Sequence, residues 1–204
     1  MRENKGSWDI VELKDVDHPL LAETVQLYQE NFPESYEMDP ETIIQLLRTG
    51  FLRILVSVQS NQVSACAIIS SRLTGIFHLD YLFVNKKLQG KGIGSTFIKN
   101  LVKFLGSEKN ITALTLECVE NLIPFYQKFA AERTKLKPTK VNSGTESAKI
   151  FHFLYIPIEN EKKETPTDKQ LSNVYYAIRE SEDVTILETE KYFILDSDSF
   201  VPCK

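Results

Sequence analysis

The segment from Leu79 to Phe104 constrains the fold of this chain more than any other part of its sequence. An apolar, aromatic-rich run that ends at Val84 predicts a strand, and the polar residues after it predict a short connection. Glycines recur from Gln89 to Gly94, and apolar residues then return at the spacing of one helix face, namely Ile93, Phe97, Leu101 and Phe104. A strand, a glycine loop and a helix start often hold a phosphate group, because the backbone can approach the ligand and the helix end is electropositive. The segment therefore predicts a site for a phosphate-bearing cofactor.

The spacing of the glycines distinguishes between kinds of phosphate loop. Gly90 to Ser95 does not have the register of a Walker loop, and G-x-G-x-G differs from the G-x-G-x-x-G of dinucleotide sites. The segment does match Gln/Arg-x-x-Gly-x-Gly/Ala, and here the sequence resembles the GNAT superfamily of N-acetyltransferases. In that family the loop binds the pyrophosphate of acetyl-coenzyme A. Two further features match the family: Leu88 before the loop, and Pro124–Lys128, which is similar to the family's Phe-Tyr-x-Lys helix. The resemblance as a whole covers about residues 8 to 158.

The resemblance implies the GNAT fold, an α/β (α+β) architecture with a mixed, mostly antiparallel central sheet flanked by helices. The pattern of the chain predicts strands over residues 8–13, 51–59, 63–71, 76–84, 111–119 and 149–158, and helices over residues 19–30, 40–50 and 122–130 besides the one after the loop. Asp39 is expected to cap the second helix, with Pro40 tolerated in its first turn. This order of elements is the one that the GNAT fold shows.

The composition changes abruptly after residue 158, where we expect the GNAT domain of residues 1–158 to end. Residues 159–170 are charged and almost free of apolar side chains, which predicts a linker or exposed loop. Residues 171–204 are expected to form a β-rich C-terminal extension with short strands over residues 174–178, 184–187 and 192–195. Such a short segment cannot bury a core alone, so it should pack on the main domain or on a partner chain, as in a homodimer.

The overall composition excludes several classes of protein. The chain has 204 residues, of which 42% are hydrophobic and 25% charged, enough for one globular domain with an appendage. A net charge of −4 argues against general nucleic-acid binding. No apolar run approaches the ~20 residues that span a bilayer, and the first residues do not resemble a signal peptide. Cys66, Cys118 and Cys203 lack ligand-like spacing, which predicts that the protein has no metal site. From these features together we expect a cytoplasmic, soluble, metal-free protein without nucleic-acid or membrane partners.

The resemblance assigns acetyl-coenzyme A, as acetyl donor, to two stretches of backbone. The strand residues Leu82, Phe83 and Val84 are expected to pair with the pantetheine arm, and the N–H of Phe83 to stabilise the developing oxyanion. Asn121 lies near the position of a further pantetheine contact, although out of register. The pyrophosphate is expected to bind the loop and the helix start that follows it, at Gln89, Gly90, Lys91, Gly92, Ile93, Gly94 and Ser95.

Tyr126 matches the helix tyrosine whose hydroxyl, in the family, lies near the sulfur and can act as general acid. A phenol with a pKa of ~10 is protonated at neutral pH, which suits protonation of a thiolate. The alternative is a core tyrosine on an aromatic helix face. The sequence departs from the family pattern nearby, since Ala130-Ala131 replace a Gly-Phe pair and Val119 stands in place of an asparagine.

The general base has two candidates. Asp80 stands where many members carry an acidic residue that meets the amine, and Glu117 lies near the end of the next strand. Each carboxylate could instead be a solvated strand residue, and His78, on the same strand face as Asp80, is expected to be structural. The residues that would form the family's substrate-side loop are Glu34, Tyr36 and Glu37.

The sequence thus predicts an N-acetyltransferase that transfers an acetyl group from acetyl-coenzyme A to a primary amine of a small molecule or peptide by direct attack. Neither Cys66 nor Cys118 has the surroundings of an activated nucleophile. One alternative is a catalytically degenerate member that binds an acyl-coenzyme A as a sensor or interaction module. A second is a dinucleotide-dependent enzyme with Glu117 as the ribose acid, which the antiparallel pattern before Ile76 disfavours.

Overall fold

The computed structural model describes residues 9–32, 38–141, 149–159 and 164–182. Eight strands and five α-helices occur in this part of the chain. The strands are β1 (Ile10–Leu13), β2 (Leu52–Gln59), β3 (Gln62–Leu73), β4 (Ile76–Val84), β5 (Ala113–Val119), β6 (Glu132–Arg133), β7 (Thr139–Val141) and β8 (Lys149–Pro157). The helices are α1 (Leu21–Asn31), α2 (Pro40–Arg48), α3 (Ile93–Gly106), α4 (Ile123–Gln127) and α5 (Asp168–Glu182).

The strands form a mostly antiparallel sheet in the order β1-β2-β3-β4-β5-β8-β6, with β7 also paired to β8. The pairing of β4 with β5 is parallel, whereas β5 and β8 run antiparallel. A parallel pair needs a crossover connection, and α3 supplies it between β4 and β5. The predicted fold class, a mixed and mostly antiparallel sheet with flanking helices, is confirmed.

The chain divides into two compact units. The first unit comprises residues 1–69 and 81–104, and the second comprises residues 70–80 and 105–204. The long strands β3 and β4 each contribute one end to either unit.

In the first unit, helix α2 begins as its sequence predicts. The Asp39 side chain accepts a hydrogen bond from the Thr42 backbone N–H at 3.1 Å, and Pro40 occupies the first helical position. An N-terminal carboxylate satisfies one of the donors that a helix start leaves unpaired, while proline has no N–H to lose there. The predicted cap and the predicted start of this helix are both confirmed.

In the second unit, the core lies between the strands and α5. Its buried residues come from the ends of β3 and β4 and from β5, β8 and α5: Leu73, Ile76, Ala113, Phe153, Val174 and Ile178. Val174 is fully buried and Ile178 is 4% exposed, so α5 contributes its apolar face to the same core as the strands. Helix α5 is therefore an integral part of this unit.

The strand predicted over residues 174–178 is wrong, because these residues form part of α5. The β-branched and aromatic residues that suggested a strand instead supply a helical stripe, with Leu171, Val174 and Ile178 buried. The helix also begins inside the predicted linker, at Asp168. The strands predicted over residues 184–187 and 192–195 lie outside the described residues, and the three-part division of the chain stays a prediction.

Helix α5 begins with a reciprocal pair of hydrogen bonds. The Gln170 N–H donates to the Thr167 hydroxyl oxygen at 3.2 Å, and the Thr167 N–H donates to the Gln170 side-chain oxygen at 2.9 Å. This arrangement, a capping box, satisfies two backbone donors at once and fixes where the helix starts.

The other predicted elements are confirmed with small shifts of their ends. The short strands β6 and β7, which pair with β8, were not predicted. Within the described part of the chain, no helix is long and apolar enough to cross a membrane.

Candidate functional site

The glycine loop of the first unit has the backbone conformation that its sequence predicts. Gly90 and Gly92 each have a φ of +76°, in the left-handed region that glycine adopts without penalty. A Cβ placed on either glycine would have no heavy atom within 4 Å, so the space next to this backbone is open. The loop therefore leaves room for a ligand in contact with its main chain.

Helix α3 starts directly from this loop. The first backbone bond of the helix joins the Thr96 N–H to the Gly92 carbonyl at 3.1 Å, and the Thr96 hydroxyl donates to the same oxygen at 3.3 Å. The N–H groups of Ile93, Gly94 and Ser95 precede that bond, and a helix has no internal acceptor for its first donors. Together with the helix dipole they favour an anion at this end.

Gln89 anchors the start of the loop with its side chain. Its amide nitrogen donates to the Val84 carbonyl at 3.1 Å and to the Asn31 side-chain oxygen at 3.3 Å. Asn85 fixes the preceding turn, because its side chain accepts from the Lys87 N–H at 3.1 Å. The predicted role of the Gln89 backbone stays a prediction, but the side chain has a clear structural function.

The remaining predicted cofactor residues of the first unit differ in exposure. Phe83 is 5% exposed, whereas Leu82 and Val84 are intermediate and Lys91 is exposed. The Val84 carbonyl is already the acceptor for Gln89, which leaves fewer of its lone pairs for a ligand. Their contacts with pantetheine and pyrophosphate stay predictions.

In the second unit, Tyr126 lies on the short helix α4. The residue is 8% exposed, and the Phe125 ring meets its ring edge to face at a centroid distance of 5.0 Å. Burial raises the pKa of the Tyr126 phenol far above its usual value, and the nearby Cys118 thiol adds to the increase. The hydroxyl is therefore protonated over the whole physiological range, as a proton donor must be, while the raised pKa also makes it a weaker acid.

The backbone after Tyr126 is left-handed at Ala130, where the sequence departs from the Gly-Phe pattern. Ala130 has a φ of +60°, and the Ala131 N–H donates to the Tyr126 carbonyl at 3.3 Å. This is a left-handed helix end of the kind that glycine usually occupies. The backbone conformation thus persists without the glycine, at a cost to alanine of about 1 kcal/mol.

Asp80 forms a buried ion pair with Arg72. The Arg72 guanidinium nitrogen Nη2 donates to Asp80 Oδ1 at 3.1 Å, and the two side chains are 8% and 10% exposed. Arg72 Nε also donates to the Ser70 hydroxyl at 2.8 Å, which fixes the guanidinium. Asp80 Oδ2 is buried and accepts no hydrogen bond from the described residues. A buried carboxylate oxygen without a donor is costly, so this atom is an acceptor that a bound ligand could satisfy.

Glu117 is ion-paired as well, with Arg179 of α5. Arg179 Nη2 donates to Glu117 Oε1 and, at 2.8 Å, to the Thr139 hydroxyl. Its guanidinium carbon lies 5.1 Å from the centroid of the Tyr175 ring, within the range of a cation–π contact. Neither arginine was singled out by the sequence. An arginine within the buried strand β3 was nevertheless a signal, since a buried charge requires a partner.

The His78 side chain, on β4, is buried and contacts one residue of β5 and one of β8. The Thr115 hydroxyl donates a hydrogen bond to the Phe77 carbonyl at 3.1 Å. In the second contact, of 3.1 Å between His78 Nδ1 and the Thr115 hydroxyl oxygen, the donor is therefore the N–H of His78. The imidazole stacks on the Phe153 ring at 6.0 Å. Burial lowers the pKa of His78 to about 4. These contacts support the predicted structural role.

Other predicted residues do not join these groups. Asn121 lies exposed on a short 3₁₀ turn, Glu120–Leu122, and its contact with a ligand stays a prediction. Glu34, Tyr36 and Glu37 lie outside the described residues. No cluster of metal-ligating side chains occurs in the part of the chain that the structure describes. Cys66 is buried, and burial raises the pKa of the Cys118 thiol to about 11, so neither thiol is an activated nucleophile.

Comparison with known protein families decides what these features mean together. Residues 21–131 match the sequence profile of the acetyltransferase (GNAT) family. The chain belongs to the GNAT family. The match covers the glycine loop, α3, β5 and α4, and it ends before β6, β7, β8 and α5. Members of this family generally use acetyl-coenzyme A as acetyl donor and act on amines of peptides or small molecules.

Individual relatives match parts of the GNAT chain. An uncharacterized protein of Dictyostelium discoideum is 25% identical over 138 residues, which are 67% of this chain and 31% of the relative. Glucosamine 6-phosphate N-acetyltransferase 1 of the same organism is 31% identical over 91 residues, 42% of this chain and 57% of the relative. The chain thus spans between about a third and little more than half of the curated relatives it matches.

The crystal structure of the ribosomal-protein-S18-alanine N-acetyltransferase from Escherichia coli has the same fold as this GNAT chain. The TM-score is 0.56 at 19% sequence identity, over 74% of this chain and 93% of that one. At such low identity the likeness concerns the fold alone.

Proposed function

We propose that this GNAT protein is an N-acetyltransferase that transfers an acetyl group from acetyl-coenzyme A to a primary amine by direct attack. The observation that carries the proposal is the glycine loop of Gly90 and Gly92, which leads directly into the N-terminus of α3. Family membership supplies the expected donor, and the loop supplies a place where a diphosphate fits.

Two independent features support the proposal that the loop binds a pyrophosphate. Open space borders the glycine main chain, so phosphate oxygens can approach backbone N–H groups directly. The first N–H groups of α3, at Ile93, Gly94 and Ser95, point out of the helix end that the dipole makes electropositive. In the proposed complex these groups bind the pyrophosphate, and the side chain of Gln89 keeps the loop in position.

Acetyl-coenzyme A supplies an acetyl group activated as a thioester. Tyr126 is proposed to supply the proton that the departing thiolate requires, because its phenol remains protonated in its buried position. The phenol regains that proton from the amine nitrogen, which loses one when the amide bond forms. The proton balance at Tyr126 therefore closes within one turnover.

Asp80 is proposed to bind the acceptor amine. A primary amine arrives as an ammonium ion, and Asp80 Oδ2 is a buried carboxylate oxygen that accepts no hydrogen bond from the described residues. Arg72 donates to the other oxygen, Oδ1, and this ion pair fixes the orientation of the carboxylate. An ammonium group that donates to Oδ2 would satisfy this acceptor. Before the attack it would pass one proton to the Asp80 carboxylate, which then releases that proton to solvent, and the neutral amine is the nucleophile.

A second function has one observation in its favour. Both predicted bases, Asp80 and Glu117, are engaged by arginines, so one oxygen of each carboxylate is already occupied and is not available to an amine. A member of the family without turnover, which binds an acyl-coenzyme A as a sensor, would tolerate this arrangement. The two functions share the loop and differ in whether product forms.

The test combines binding with turnover. The melting temperature is measured with acetyl-coenzyme A, coenzyme A and NAD for the wild type, Gly92→Glu and Gly50→Glu. Gly50 has a similar φ, +74°, and equally open surroundings, but it follows α2 outside the loop. Both substitutions thus carry the same backbone strain and charge, while only the glutamate at residue 92 would repel a pyrophosphate.

We expect acetyl-coenzyme A to stabilise the wild type and Gly50→Glu by about 2.7 kcal/mol at 100 times the dissociation constant, and Gly92→Glu hardly at all. Release of free coenzyme A in a screen of amines then separates transfer from mere binding. A ligand shift without turnover of any amine would favour the sensor. No shift with either coenzyme A species would contradict both functions.

A further inference from the structure

Two carboxylates, Asp80 and Glu117, directly follow the last paired residues of β4 and β5. The parallel register pairs Ile76 with Ala113 and continues to Leu79 and Leu116. Asp80 and Glu117 are the next residues of the two strands. His78 and Thr115, two residues earlier, are hydrogen-bonded on one face of the sheet, and alternation places Asp80 and Glu117 on that same face.

Each carboxylate of this pair forms an ion pair with an arginine. Arg72 comes from β3 and binds Asp80, whereas Arg179 comes from α5 and binds Glu117. All four side chains are at most 20% exposed, so solvent screens their charges poorly. Two adjacent carboxylates would repel each other, and the two guanidinium groups balance them.

The two carboxylates nevertheless differ. Asp80 keeps one buried oxygen, Oδ2, without a donor among the described residues. Glu117 faces a guanidinium that is itself fixed by the Thr139 hydroxyl at 2.8 Å and by the Tyr175 ring. Since α5 lies beyond the family match of residues 21–131, the neutralisation of Glu117 is a feature that the C-terminal helix adds.

Building on the proposed N-acetyltransferase activity, we propose that Arg179 determines acceptor specificity, by neutralising Glu117 so that the site takes monoamines in preference to diamines. One ammonium group can satisfy Asp80 Oδ2. A second ammonium group on the same acceptor would meet the Arg179 guanidinium, and like charges close together in a poorly solvated site repel. Removing the guanidinium would leave the negative charge of Glu117 without that balancing cation, and this charge would attract the second ammonium group.

The experiment compares two acceptors of equal length, propylamine and diaminopropane, with acetyl-coenzyme A as donor. The quantity measured is the ratio of kcat/KM for the monoamine to kcat/KM for the diamine. We expect the wild type to favour propylamine. Arg179→Gln should shift the ratio toward diaminopropane by about tenfold or more, because a charge-assisted hydrogen bond is gained, while KM for acetyl-coenzyme A stays the same.

Two further variants tie the shift to charge. Arg179→Lys should retain the wild-type preference, since it keeps a cation opposite Glu117. The double variant Glu117→Gln/Arg179→Gln should lose the gain for diaminopropane.

Arg133→Gln is the matched control, because Arg133 also pairs with a glutamate, Glu120, but in an exposed position with side chains 45% and 64% accessible. Its ratio should equal that of the wild type.

The outcomes separate this inference from the function on which it rests. An unchanged ratio in an active Arg179→Gln protein, even with a lower melting temperature, would mean that Arg179 only stabilises the fold and would overturn the inference alone. A wild type that prefers the diamine would also overturn it. A wild type that acetylates another amine of the screen but neither of these two would overturn the inference alone. Turnover of no amine at all would count against the proposed transfer itself, and the inference would fall with it.

Discussion

The glycine loop and the carboxylate pair are built from different parts of the polypeptide. The loop relies on main-chain groups: the left-handed glycines Gly90 and Gly92 and the first N–H groups of α3. The carboxylate pair relies on side chains: Asp80 forms an ion pair with an arginine from β3, and Glu117 with an arginine from α5. One region is formed by consecutive residues, and the other is assembled from distant ones.

This difference governs how each region responds to change. A backbone site tolerates most side chains as long as the local conformation is kept, so the residues around it can vary. A buried charge network is sensitive to every member, because removal of one partner leaves the other in a poorly solvated place. We therefore expect single substitutions to lower the stability of the fold more at the carboxylate pair than at the glycine loop. Four predictions start at the carboxylate pair and continue with three residues outside both regions.

The largest effect on stability is expected from Arg72→Gln. The variant removes the guanidinium that pairs with Asp80, whose side chain is 10% exposed. Breaking a buried pair by deleting one partner lowers the free energy of unfolding by about 3–5 kcal/mol. Urea denaturation measures the change. Lys135→Gln, which breaks an exposed pair with Asp168, is the control and should leave the midpoint unchanged.

Tyr126→Phe should affect turnover far more than folding. The phenylalanine fills the same buried space but has no proton to donate, so kcat is expected to fall about 100-fold or more. The melting temperature and the KM for acetyl-coenzyme A should remain close to the wild-type values. If kcat stays within about threefold of the wild type, Tyr126 is a core residue and the proposed acid role is wrong.

His78 predicts how stability depends on pH. The pKa of His78 is about 4 in the folded protein, below the usual 6.5, so the unfolded chain binds the proton first as the pH falls. Stability is therefore lost between pH 6.5 and 4, and by pH 5 the loss reaches about 2 kcal/mol. The variant His78→Gln keeps a polar side chain but has no such titration. The free energy of unfolding, measured by denaturation at pH 7 and pH 5, should therefore fall by this amount more in the wild type than in the variant.

The smallest effect is expected at Ala130. Its φ of +60° is unfavourable for a residue with a Cβ, so Ala130→Gly should raise the free energy of unfolding by about 1 kcal/mol. The control is Ala131→Gly, at a residue that is 6% exposed and has no positive φ. This variant removes a buried methyl group and should therefore lower the free energy of unfolding. Thermal denaturation of the pair measures both changes. Equal signs would contradict the explanation given for Ala130.

What could be predicted from the sequence follows the same contrast. The loop, the capped start of α2 at Asp39 and the buried Tyr126 depend on consecutive residues, so their patterns are visible in the sequence. The partner of Glu117 was not predictable in this way. Arg179 lies 62 residues further along the chain, and only the docking of α5 brings the two together.

The sequence did contain a signal for α5 that the strand prediction overlooked. Thr167 and Gln170 have the spacing of a capping box, and Leu171, Val174, Tyr175 and Ile178 recur at helical spacing. The run of β-branched and aromatic residues favoured a strand only when it was considered without its flanks. Local propensity was outweighed here by the apolar stripe that the core of the second unit accepts.

The burial of α5 also determines how this part of the molecule opens. Val174 and Ile178 share one apolar cluster with strands β4, β5 and β8, so the helix cannot detach without exposing the centre of that cluster. Amide protons of α5 should then exchange with solvent at rates close to those of β5, in one cooperative opening. A C-terminal helix of this kind melts together with its sheet.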